Sequence, residues 1–131
     1  MKKDIEIPEV EGVFIAAVLE ENEEFRSRDW NAYIINSKQV PLEMILIVAR
    51  GFDTKRTTAT MRHSVKILPA RSYAKIEYLQ DQVLELNNEF MVSFFEGNKM
   101  YEKTYILEKH SVKESLLKEI PIINSKGILA K

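Results

Sequence analysis

Apolar and polar residues alternate along most of this chain, which is the period of a half-buried strand rather than of a helix. Thr57 to Leu68 sets Ala59, Met61, His63, Val65 and Ile67 on one face, with Thr58, Thr60, Arg62, Ser64 and Lys66 on the other. Trp30 to Asn36 sets Trp30, Ala32 and Ile34 against Asn31, Tyr33 and Ile35. Ser72 to Leu79 repeats the pattern, with Ala74, Ile76 and Tyr78 inward. Val13 to Glu20 and Glu43 to Ala49 are apolar runs of strand length, rich in β-branched and aliphatic residues. Glu89 to Glu96 and Lys99 to Glu108 flank Gly97-Asn98, a glycine-first two-residue loop that suits a type II′ hairpin.

The period changes only near the C-terminus. Ser111-Val-Lys-Glu114 has capping-box spacing, and Val112, Leu116, Leu117 and Ile120 recur near 3.6 before Pro121. This predicts a short C-terminal helix of about two turns. Ile122 to Lys131 reads as a strand or a docked tail. Turns fall at Ser37 to Pro41, Arg50-Gly51 and Pro69-Ala-Arg71. About seven strands with turn signals every 8 to 12 residues or so predict a mainly β, antiparallel β-sandwich, a small barrel being the competing architecture. The expected core comprises Phe14, Val18, Trp30, Ile34, Leu46, Val48, Val65, Ile76, Tyr78, Phe90, Val92, Phe94 and Ile106.

Length and composition narrow the class. At 131 residues, 45% hydrophobic and 30% charged, the chain suits a single domain over residues 1–131 with an unaided core. It has no cysteine, so neither disulfides nor thiolate metal sites arise. No apolar run reaches the ~20 residues of a membrane-spanning helix. The basic start Met1 to Pro8 lacks the apolar stretch of a signal peptide, and a cytoplasmic protein is expected. A net charge of −1 and a pI near 6.2 argue against a dedicated nucleic-acid binder.

The rhythm of Trp30-Asn-Ala-Tyr-Ile-Ile-Asn36, then Pro41-Leu-Glu-Met-Ile-Leu-Ile-Val48, then Leu68-Pro-Ala-Arg71 resembles the immunoglobulin-like and fibronectin type III layouts. That resemblance implies an immunoglobulin-like sandwich without the paired cysteines of antibody domains. A second resemblance rests on Asp29 to Asn36, Gly51-Phe-Asp53, Thr60-Met-Arg-His-Ser64 and Gly127-Ile-Leu-Ala-Lys131. These segments look like a group of short uncharacterised bacterial proteins, some carrying a phenylalanyl-tRNA synthetase alpha-subunit label. The four glycines are isolated, without the Gly-rich segment of a class II synthetase, so the resemblance assigns no catalytic residue.

No constellation points to chemistry. His63 and His110 lie in unrelated segments without ligand spacing, and no Asp-x-Asp loop accompanies Glu20, Glu21, Glu23 and Glu24. No catalytic residue, metal or cofactor is therefore expected. Charge is the informative feature: residues 1–30 carry four basic and nine acidic groups, whereas residues 50–75 carry seven basic groups against Asp53 alone. Arg50, Lys55, Arg56, Arg62, Lys66 and Arg71 thus form a candidate docking surface for an anionic partner, a protein or an RNA. The competing reading is intramolecular, with the acidic third lying against the basic middle.

The expected function is a non-catalytic interaction module. A small enzyme or ligand-binding protein with an inter-sheet pocket is the alternative. Met44, Leu46 and Val48 oppose Ile45, Ile47 and Ala49, and Phe90, Val92 and Phe94 oppose Met91 and Phe95. Strands apolar on both faces need a second cover, either the C-terminal segment or a second copy in a homodimer.

Overall fold

The computed structural model describes residues 9–131. The Met1 to Pro8 segment, and with it the reading of the N-terminus, lies outside the described residues. Among the described residues, nine strands build two separate antiparallel sheets, an arrangement consistent with a β-sandwich and not with a barrel. They are β1 (Val13–Asn22), β2 (Ser27–Asn36), β3 (Leu42–Phe52), β4 (Met61–Leu68), β5 (Ser72–Leu79), β6 (Asn87–Glu96), β7 (Lys99–Leu107), β8 (Lys118–Glu119) and β9 (Lys126–Leu129). The first sheet runs β5-β2-β1-β9-β8 and the second β4-β3-β6-β7. A single helical turn, α1 (Asp81–Leu84), joins β5 to β6.

The main core lies between the sheets. Ile15, Ala17 and Ile34 from the first sheet meet Ile45, Ile47, Phe90, Phe94 and Tyr105 from the second. Glycine-first hairpin geometry is present at Gly97, whose φ of 62° turns Glu96 back onto Lys99. Buried amides fix the ends. Asn36 Nδ2 donates to the carbonyls of Val40, Leu68 and Pro69, while its Oδ1 accepts from Lys38 N–H at 3.0 Å. One side chain thereby ties the β2–β3 and β4–β5 crossings together. At the other end Asn88 Nδ2 donates to Val83 O and Leu86 O, closing the turn after α1.

The C-terminal segment departs from expectation. The expected helix is absent; one 3-10 turn covers Glu114–Leu116, and the chain then extends into β8. Ser111 Oγ donates to Glu108 O at 2.6 Å instead of capping a helix, and Lys113 is extended. Extension wins because β8 and β9 pair with each other and β9 pairs with β1. It also lays Ile120, Ile122 and Ile123 against Ala16, Val18, Tyr33 and Ile35 on the outer face of the first sheet. A three-residue turn at Pro121–Ile123, closed by Ile123 N–H to Pro121 O, lets this strap double back, with Ile122 at φ 65°.

Six of the expected core residues do not join the main core: Phe14, Val18, Leu46, Val48, Tyr78 and Ile106. Val18 and Phe14 belong to the outer cluster under the strap, and Val13, Ile15 and Ala17 face the main core. In β3 the core parity is Ile45, Ile47 and Ala49, which leaves Leu46 outside. A register shift between Ala32 and Tyr33 inserts an extra residue in β5, so Tyr78 turns outward and Leu79 inward. Ile67 likewise faces out, since Leu42 and Ile45, three apart across the positive φ of Met44, both point to the core.

Candidate functional site

Strand pairing places three rows of side chains on the outer face of the second sheet. One row is Arg62–Val48–Met91–Thr104, the next Ser64–Leu46–Ser93–Glu102, and the third Ile67–Glu43–Phe95–Met100. No element of the described chain lies over them, in contrast to the strapped face of the first sheet. Met44 is 70% exposed, Ile67 52%, Met100 48%, Met91 42% and Leu46 39%. Solitary exposed apolar residues are ordinary; here Val48, Met91, Leu46 and Phe95 adjoin on β3 and β6, with Glu43 and Ser93 among them and Arg62 and Glu102 on the outer strands. A shallow concavity of about 250 Å³ runs along the middle of this face, lined by Leu46, Val48, Met91, Ser93 and Glu102 among others.

Met44 has φ 49° where the β3–β6 register shifts. A non-glycine residue there is strained, and the bulge carries the thioether out over the apolar rows. Methionine is the adaptable side chain for such a surface, because its unbranched stem can repack against different partners.

The six basic residues singled out by charge spread over the second sheet and both of its ends. Arg50 lies on β3, ion-paired to Glu89 at 2.9 Å and stacked on the Phe52 ring. Lys55 and Arg56 belong to the β3–β4 loop, where Arg56 pairs with Asp53 at 2.9 Å. Hydrogen bonds from Lys55 N–H, the Arg56 side chain and Arg56 N–H hold the Asp53 carboxyl down at about 2. Arg62 and Lys66 stand on the edge strand β4, and Arg71 lies in the turn beyond it, donating to Ser37 O at 3.2 Å. Among the described residues, no carboxylate pairs with Lys55, Arg62, Lys66 or Arg71. The acidic N-terminal hairpin of β1 and β2 belongs to the other sheet, and its Arg28 pairs with Glu114.

Sequence reasoning missed a polar cluster on the far face. Glu20 accepts hydrogen bonds from Asn31 Nδ2 at 2.8 Å and from the Tyr33 hydroxyl at 2.8 Å. Burial, then the hydrogen bond to Glu20 and its charge, push the Tyr33 hydroxyl up to about 12. The alternation Asn31, Tyr33, Ile35 marked that face but not its partners. An open concavity of about 700 Å³ adjoins the cluster, lined by Glu20, Glu21, Asp29, Phe25, Lys75 and Tyr78 among others. An apolar groove of about 380 Å³ runs beside β8 and β9, past Ile106, Leu116 and Ile128. His63 bonds Glu77 at 2.9 Å, bridging the free edges β4 and β5 of the two sheets.

No helix among the described residues is long and apolar enough to cross a membrane. Comparison with known proteins finds no match to any protein-family model, curated protein or solved structure.

Proposed function

We propose that this chain is a cytoplasmic, non-catalytic interaction module of immunoglobulin-like layout that binds through the outer face of the β4-β3-β6-β7 sheet. The observation that carries this reading is the exposed apolar patch around Leu46 and Met91, over which no described element lies, flanked by Arg62 and Glu102. The filled inter-sheet space adds weight, since Phe90, Phe94 and Tyr105 occupy the volume that a ligand pocket between the sheets would need. Strand order supports the layout: β5-β2-β1 and β4-β3-β6-β7 correspond to E-B-A and C′-C-F-G of an immunoglobulin-like sandwich, with β9 and β8 appended beside A.

The test is capture from native lysate by the wild-type chain and by a Leu46→Lys, Met91→Lys double variant. Both positions are exposed, so the variant should fold. A partner held by wild type and lost by the variant is the expected result; equal capture by both would refute the face. A second reading keeps Lys55, Arg62 and Lys66, whose charges meet no described carboxylate, as contacts for an anionic partner. Reversing Lys55, Arg56 and Arg62 to Glu would then abolish capture, and wild-type binding would weaken as salt rises.

A further inference from the structure

The outer face of the second sheet is self-complementary, and we infer that its partner is a second copy of this chain, meeting the first about a two-fold axis along the strands. This inference rests on the reading of that face as a binding surface and names its occupant.

Packed sheets lie about 10 Å apart with nearly aligned strands. A two-fold running along the strands, between β3 and β6, stacks β4 over β7 of the second copy and β3 over its β6. The rows fixed by the register then face each other in reverse order. Val48 comes over Met91 and Ile67 over Met100, apolar on apolar, while Leu46 comes over Ser93 and Glu43 over the Phe95 ring. Ser64 comes over Glu102, and Arg62, one row along, reaches the same carboxylate. By symmetry each contact occurs twice, residue i on j and j on i, as an isologous interface requires. A two-fold across the strands through the middle row would instead put β4 over β4, Arg62 over Ile67, and Glu102 over its own copy, stacking like charges.

Size sets the expected strength. Four strands about 4.8 Å apart, over some six residues of about 3.3 Å, span roughly 19 by 20 Å. That is about 400 Å² of plane per copy, roughly 800 Å² in all and below the ~1,000 Å² of a stable specific interface, so the dimer should be weak, transient and concentration-dependent. Met44, exposed at the bulge on the interior strand β3, falls between the second and third rows of this area.

Sedimentation equilibrium of the purified chain between about 10 μM and 1 mM tests this, in the range where an interface at the low end of size associates. Wild type should move from a monomer of 15.3 kDa toward twice that mass. Arg62→Glu alone and Glu102→Arg alone should each weaken association at least tenfold, because each sets like charges together at both symmetric contacts. Mixing the two variants should restore a heterodimer, since every contact then pairs Glu with Arg, and the double variant R62E/E102R should self-associate like wild type. Circular dichroism of each variant checks that the exposed changes leave the fold intact. A wild-type chain that stays monomeric to 1 mM would overturn the dimer while leaving the capture experiment to judge the face. A dimer indifferent to both reversals, or a mixture that does not associate, would overturn the two-fold.

Discussion

Asn36 shows how much one buried amide can organise. Its side chain is fully buried and engages the Val40, Leu68 and Pro69 carbonyls and Lys38 N–H. Asn36→Ala should cost roughly 3 kcal/mol by urea denaturation, because several buried backbone groups would lose their partner together. Gly127 acts through absence of a side chain: a Cβ there would meet the Ala17 carbonyl oxygen at 2.6 Å. Gly127→Ala should therefore force β9 away from β1 and destabilise by about 1–3 kcal/mol. Tyr33 predicts a pH signature. Its folded value of about 12 lies above the ordinary 10.0, so the protein's preference for the neutral phenol is fully present below pH 10.0 and lost as pH rises to about 12. Absorbance titration near the phenolate band should show a late step that Tyr33→Phe removes; an unchanged curve would contradict the buried bond to Glu20.

Strands β1 to β7 were legible, but which of their faces meets the core was not where both parities are apolar. The alternation of Trp30 to Asn36 and the Gly97-Asn98 hairpin reads directly as strand and turn, and both occur. In Val13 to Glu20 and Glu43 to Ala49 either parity could be core, and only pairing with β9, β4 and β6 decides it. Bulges compound this, since the extra residue at Ile76 turns Tyr78 outward with no local signal. At the C-terminus, helical spacing of Val112 to Ile120 competed with tertiary pairing and lost, because weak propensity yields to burial of an apolar strap. That strap is one of the two covers weighed from the sequence, but it lies on β1 and β2 rather than on β3 and β6, whose outer face no described element covers. The basic segment was legible as charge, yet sequence could not show that Arg50 and Arg56 meet Glu89 and Asp53. Ile120→Ala should cost about 2–4 kcal/mol, as expected for a buried aliphatic group on a real second core. A loss below 0.5 kcal/mol would mean the strap is not packed.

Among the described residues the two sheets differ: one carries its own cover, and the other keeps an exposed apolar face with a strained methionine between its rows. Strain retained at an exposed position suggests a trade of stability for binding. Met44→Gly should relieve the positive φ and stabilise the monomer by up to about 1 kcal/mol while weakening association. Methionine oxidation reads the central claim most directly, since thioethers oxidise according to exposure. Met44, Met91 and Met100 lie on or beside the proposed interface, whereas the exposed Met61 takes the opposite parity on β4 and stays outside it. Brief peroxide treatment, read by peptide mass at dilute and concentrated protein, therefore carries its own control. The account predicts that concentration slows oxidation of Met44, Met91 and Met100 relative to Met61. Equal slowing of all four, or none in a chain that sediments as a dimer, would contradict it.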